Sequence, residues 1–246
     1  MEAQLNHDVS LEGRTVLLPA VSAGNVGQLA VDLLIATCGL ASAGHVRDSA
    51  NVLPCVGNNP YIEGGAECST EMQFYSGFKD DIIVLQQRAP PMLGRQEQAA
   101  QALASFFRQH GVEKVVVLGS YSNALPGQDS SSGPALPRYR VSDESAFGSM
   151  PNVEWQQLEE IDPLTDKAYT DLILPPWPFW RACEAVGLPV MLLMLAVSEG
   201  DNRGDAMRLA SCALEALDTK EKGSEPPSRW VVPPSWIVFG RQSAIY

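Results

Sequence analysis

The stretch that decides the fold is Thr15–Val21, TVLLPAV, followed by Ser22–Asn25, SAGN, and Val26–Leu40, VGQLAVDLLIATCGL. The first part is short, apolar and rich in β-branched residues, which predicts a buried strand. The second is a turn. The third carries Val26, Leu29, Ala30, Leu33, Leu34 and Thr37 at helical spacing and stops near Gly39. Strand, glycine turn and helix together open a βα unit.

The same alternation recurs downstream. Asp81–Gln87 (DIIVLQQ) predicts a strand. Gln96–His110 predicts a helix with Ala99, Ala100, Leu103, Phe106 and Phe107 on its apolar side and Gly111 as its stop. Val112–Leu118 and Leu188–Val197 are apolar on both faces, as buried parallel strands require. Phe179–Val186 and Asp205–Leu217 predict helices, the latter capped by Asp201 or Asn202. The expected fold is therefore α/β, a mostly parallel sheet with helices on both faces. Asn51–Val56 and Glu71–Tyr75 are candidate extra strands, which would add an antiparallel edge or a small second layer. Residues 120–178 read as a long irregular insertion with a small helix around Val153–Glu160. One domain over residues 1–240 and a short tail over 241–246 are expected.

Composition narrows the function. Among 246 residues the net charge is −12, which repels phosphate backbones and anionic membranes, so neither nucleic acid nor a membrane is an expected partner. The five cysteines (Cys38, Cys55, Cys68, Cys183, Cys212) show no C-x-x-C spacing, and no zinc site or disulfide framework is indicated. The N-terminus lacks a signal-peptide pattern, and the longest apolar run, Leu188–Val197, is about half a membrane span. The cytoplasm and nucleus are the expected location.

Three motifs invite chemistry. Ser22–Gly27 lies where phosphate-binding loops lie, yet it is neither G-x-G-x-x-G nor a Walker loop. Tight turning and close helix–strand packing explain Gly24 and Gly27 more simply; an anion cradle for a nucleoside or phosphate-bearing substrate is the alternative. Ser120 lacks the flanking glycines of a nucleophile elbow, and His7, His45 and His110 sit in no Ser/His/Asp pattern. Glu199 and Asp201 have no His or third carboxylate nearby, so capping or an acidic surface is the reading there. No catalytic residue, cofactor site or metal site is expected. Asn58–Tyr61 (NNPY) is a turn with an aromatic handle. Ser228–Gly240 (SRWVVPPSWIVFG) is too apolar to stay in water and must pack on this domain or on a partner.

Four segments carry a resemblance: Leu17–Leu34 (LLPAVSAGNVGQLAVDLL), Val56–Tyr61 (VGNNPY), Val197–Asn202 (VSEGDN) and Ser228–Gly240. The chain resembles the proteasome assembly chaperone 2 family; nothing is carried over for Ser120–Trp180. The resemblance implies an α/β chaperone without catalysis, cofactor or metal. It implies pairing with proteasome assembly chaperone 1, promotion of the seven-membered proteasome α-ring and suppression of off-pathway α-subunit rings. It also implies a C-terminal tail that enters a pocket between α-subunits, here Ala244, Ile245 and Tyr246. The family's tail has its tyrosine next to last, whereas Tyr246 is terminal. For the heterodimer face, small, apolar and turn-forming residues beyond the needs of one helix–sheet contact point to Val21, Asn25, Val26, Leu29, Asn59 and Tyr61.

Overall fold

A computed structural model describes residues 1–64, 67–77, 79–122, 136–148, 154–158, 176–198, 200–217 and 229–236. Among these residues, nine strands form one sheet: β1 (Glu2–Leu5), β2 (Thr15–Pro19), β3 (Ala41–Arg47), β6 (Met72–Ser76), β7 (Ile82–Gln87), β8 (Lys114–Ser122), β9 (Arg138–Val141), β10 (Gln156–Gln157) and β11 (Val190–Val197). Their order is β1-β3-β6-β7-β2-β8-β11-β9-β10. A separate hairpin pairs β4 (Val56–Asn58) with β5 (Cys68–Thr70).

The centre, β7-β2-β8-β11, is parallel. Its strands are nearly continuous runs of Val, Ile, Leu and Met because both faces are covered. On one face lie α2 (Gln96–Gln109) and α4 (Trp177–Ala185), packed on Val16, Leu18, Val115 and Val117. On the other lie α1 (Val26–Cys38) and α5 (Arg203–Leu217), packed on Leu17, Val116, Leu118 and Leu193. The alternation of Leu17 and Leu18 between the two cores is the period of two that a strand imposes. The four-residue α3 (Glu144–Phe147) starts at Asp143, whose carboxylate accepts the Ser145 N–H at 2.8 Å.

The expected α/β sheet with helices on both faces is present, and β1, β3 and β6 supply the antiparallel edge. Three expectations are corrected. Asn51–Val56 is not a strand: Val52 makes only an isolated bridge to Pro91, and pairing starts at Val56. Leu53-Pro54 offers no N–H at Pro54 to extend a ladder. The periodicity does not end at Leu118, because β8 continues to Ser122 and β9 follows, antiparallel to β11. Around Val153–Glu160, the described residues hold no helix; Gln156-Gln157 extends the sheet beside β9. There, pairing with an available neighbour outweighs local preference.

All five cysteines are free thiols. Burial pushes the Cys183 thiol up and raises Cys212 to about 12, so these two behave as small apolar groups. Among the described residues, no helix is long and apolar enough to cross a membrane.

Candidate functional site

The features that stand out gather at the carboxyl end of the parallel strands, where open α/β sheets hold their ligands. The crevice between β2 and β8 is occupied by the chain itself. Ser22 and Ser120 Oγ atoms lie 3.0 Å apart, and the Ser120 N–H donates to Ser22 Oγ at 3.0 Å. Ser120 is wholly buried, and its hydroxyl donates to the Ala23 carbonyl at 2.5 Å.

The turn that follows is left-handed at Gly24 (φ 60°) and Asn25 (φ 55°). A Cβ on Gly24 would overlap the Asn202 side chain, and one on Gly27 would overlap the Leu118 carbonyl oxygen. Both glycines therefore permit close approach, the packing reading of this motif. The histidines stand apart from the serine pair. His45 lies in β3 opposite Gln4, and His110 sits at the far end of α2, its ring nitrogen bonded to the Phe106 carbonyl. Among the described residues, no three His, Cys, Asp or Glu side chains are grouped to hold a metal.

Asp201 and Asn202 both serve the start of α5. Asp201 accepts the Arg203 N–H at 3.2 Å, and the Asn202 carbonyl accepts from Ala206 N–H at 2.9 Å. Hydrogen bonds from Arg203 hold the Asp201 carboxyl down at about 2. Glu199 lies outside the described residues.

A second cluster was missed in the sequence. Asp32 sits in the apolar helix α1 and is 6% exposed. Its Oδ1 accepts from Tyr61 OH at 2.6 Å, Gln86 Nε2 at 2.6 Å and Arg88 Nη2 at 3.0 Å. Arg88 also donates to the Tyr61 hydroxyl at 2.8 Å, and its guanidinium stands 5.5 Å from the Tyr61 ring centre. Tyr61 meets Tyr75 edge-to-face at 5.5 Å.

Burial, with the Asp32 charge added, pushes the Tyr61 phenol well above its ordinary value. Burial likewise raises Tyr75 to about 12. Burial opposes the Arg88 cation, but the neighbouring Asp32 charge prevails and holds its pKa above the ordinary range. The one legible signal was an acid at the middle of an apolar helix, a residue type rarely buried unless paired.

Tyr61 belongs to a turn fixed by Asn59, whose side chain accepts the Tyr61 N–H at 3.0 Å. The segment 229–236 runs from α1 to this turn. Val231 N–H donates to Thr37 Oγ1 at 3.0 Å, and Ser235 N–H donates to the Pro60 carbonyl at 3.3 Å. Trp230, Val232 and Trp236 pack on the core shared by α1 and α5. The apolar tail thus packs its two tryptophans partly on its own domain, while Val231 stays exposed. A cleft of about 620 Å³ opens here, bordered by Gly24, Leu29, Asp32, Arg88, Asp201 and Trp236.

The residues proposed for the dimer face are placed in three settings. Val26 is buried against the sheet, Val21 and Leu29 are half-buried, and Asn25 is exposed. Asn59 and Tyr61 are half-buried and bonded within the chain. Val21 borders a different, apolar cleft of about 280 Å³ with Leu103, Pro91 and Phe179. Ala244, Ile245 and Tyr246 lie outside the described residues.

A family model described as the PAC2 family matches residues 16–221. The chain belongs to the PAC2 family. Its relatives include proteins named proteasome assembly chaperone 2. That of Danio rerio is 32% identical, over 94% of this chain and 93% of its own length. That of Homo sapiens is 31% identical, also over 94% of this chain and 93% of its own. Among solved structures, Pyrococcus furiosus PbaA, an archaeal homologue of proteasome-assembly chaperone, superposes with a TM-score of 0.60 at 18% identity, covering 89% of this chain and 85% of its own. A Thermoplasma acidophilum protein of unknown function gives 0.64 at 10% identity, covering 94% and 84%. At these identities the structural likeness establishes the fold alone.

Proposed function

We propose that this chain is a proteasome assembly chaperone that works by binding protein surfaces and carries out no catalysis. Membership of the PAC2 family, with relatives named proteasome assembly chaperone 2 matched along 94% of the chain, carries the reading. The filled crevice supports it. Ser22 and Ser120 satisfy one another, and Asn202 stands against Gly24 where a phosphate cradle would need room. The alternative, an enzyme for a nucleoside or phosphate-bearing substrate, is less favoured because the serines of the turn are paired within the chain, although the cleft described above borders the turn at Gly24.

The finer reading follows the resemblance. The chain pairs with proteasome assembly chaperone 1, and the heterodimer helps α-subunits close into a ring and blocks off-pathway rings, in the cytoplasm and nucleus. Val21, Asn25, Val26, Leu29, Asn59 and Tyr61 mark the region assigned to the pairing. Ala244, Ile245 and Tyr246 enter a pocket between α-subunits, where the terminal carboxylate pairs with a cation and two side chains bury apolar surface.

Native mass spectrometry of the chain co-expressed with that paralogue and α-subunits tests this. A one-to-one heterodimer that holds α-subunits is expected. Deleting Ala244–Tyr246 is expected to weaken α-subunit capture and to leave the fold and the heterodimer intact. A monomer that ignores both partners would overturn the proposal.

A further inference from the structure

The Asp32 cluster and the segment 229–236 meet at one peptide group. Pro60 lies between Asn59, whose side chain fixes the turn, and Tyr61, whose hydroxyl is held by Asp32 and Arg88. The Pro60 carbonyl accepts the Ser235 N–H. The turn itself is tied at its base, where the Asn59 N–H donates to the Glu67 carbonyl at 3.0 Å. Asp32 is on α1, Arg88 follows β7, and Thr37, which holds Val231, is also on α1. One buried ionic group therefore joins a helix, a central strand and a loop, and through that loop reaches the segment that leads to the C-terminus.

Route and length matter here. Thr37 is near the end of α1, and Leu29 and Gly24, which border the cleft beside Trp236, are near its start. The segment thus travels along α1 towards the carboxyl edge of the sheet. From Trp236, Tyr246 is ten residues on (237–246). Loss of the contacts made by 229–236 lengthens that tether by at least those eight residues, to eighteen (229–246). The effective concentration of a tethered group falls as roughly the −3/2 power of tether length, so this release alone lowers it about two- to threefold.

We propose that Tyr61 is a positioning residue for the segment 229–236: its bonds to Asp32 and Arg88 hold the Pro60 carbonyl where Ser235 docks, and so fix where Trp236, from which residues 237–246 continue, sits on the domain. This rests on the tail-docking reading above for its consequence in binding, but not for the internal contact itself. The occupant of the Pro60 site is this chain's own Ser235. The hydroxyl of Tyr61 is the part that matters, since its ring already has Tyr75 and the Arg88 guanidinium as neighbours.

The test compares the full chain with its Tyr61→Phe and Ser235→Pro variants, the latter removing the N–H that Pro60 accepts, along with the serine hydroxyl, and fixing φ at that position. Hydrogen exchange is read first. In Tyr61→Phe, the Ser235 amide is expected to exchange about tenfold faster while the central strands β2, β8 and β11 keep their protection. Unchanged exchange at Ser235, or an equal loss of protection throughout the sheet, overturns the proposal.

Binding to α-subunits is read second. Each variant is expected to weaken binding about two- to threefold, the pair no more than either alone, and the Tyr61→Phe effect is expected to vanish once Ala244–Tyr246 are deleted. If that deletion has no effect by itself, the docking reading fails, while the exchange result still decides the role of Tyr61. If the deletion weakens binding and Tyr61→Phe does so equally with or without the tail, the role assigned to Tyr61 fails.

Discussion

Two joints hold the carboxyl edge of the sheet, and they use opposite chemistry. At the first, Ser22 and Ser120 are neutral and small, and their partners are backbone groups and each other. What this joint demands is clearance: Gly27 admits the Leu118 carbonyl, and Gly24 admits Asn202. At the second, Asp32 and Arg88 are charged, and Asp32 Oδ1 is met by side chains from distant parts of the chain. The first is sensitive to volume and the second to the loss of any one partner. The difference teaches that a filled crevice and a buried ion pair, either of which suggests a ligand site in isolation, can both hold the fold together from within, although the second leaves Arg88 Nε and Gln86 Oε1 without a hydrogen-bond partner among the described residues.

The largest break comes from leaving one charge alone. Arg88→Met is expected to destabilise the fold by about 3–5 kcal/mol, because Asp32 then stays buried without its cation. Urea denaturation measures it, and the double variant Asp32→Leu/Arg88→Met is expected to recover most of the loss.

A smaller break comes at the neutral joint. Gly27→Ala is expected to cost about 1–3 kcal/mol through overlap with the Leu118 carbonyl, with the same denaturation curve as readout. A cost equal to that of Arg88→Met would erase the distinction between the joints.

The smallest effect is confined to alkaline pH. The Tyr61 phenol ionises at higher pH in the folded chain than in the unfolded one, so the folded state holds its proton when the unfolded state has lost it. Its contribution is complete below about pH 10, the unfolded value, and falls as pH rises above it. Tyr75, raised to about 12, and the buried thiols Cys183 and Cys212 act in the same direction, the thiols from about pH 8.5 upward. Tyr61→Phe is expected to flatten the loss of stability between pH 9.5 and 11, measured by denaturation at fixed temperature. An equal slope in the variant would place the pH dependence elsewhere.

The parallel centre was legible because each of its strands and helices announces itself. Val115–Leu118 and Val190–Val197 are apolar throughout, and α1, α2 and α5 keep helical spacing. β1 and β3 were not. Ala41–Arg47 reads ASAGHVR, small and polar, and becomes a strand because β1 and β6 lie beside it. The same holds for β10, whose two glutamines carry no pattern.

At the site, the glycine turn could be read from Ser22–Gly27, but its closure needed Ser120 and Asn202, which are remote in the chain. The charged joint joins residues 32, 61, 86 and 88, and no spacing rule links an acid within a helix to a tyrosine in a loop. The need of Ser228–Gly240 for burial was visible in its tryptophans; its course along α1 was not.

The ends of the sheet have one more consequence. Among the described residues, it finishes in β1, four residues long, and in β10, which has two. An outermost strand offers free amide and carbonyl groups to any extended polypeptide that passes, and brevity limits that offer. For the chaperone proposed above, this matters, because unassembled subunits are a source of many such strands. With so little backbone left open to zip against, selectivity falls to side chains on turns and helices, where shape and charge discriminate better than a ladder of peptide groups.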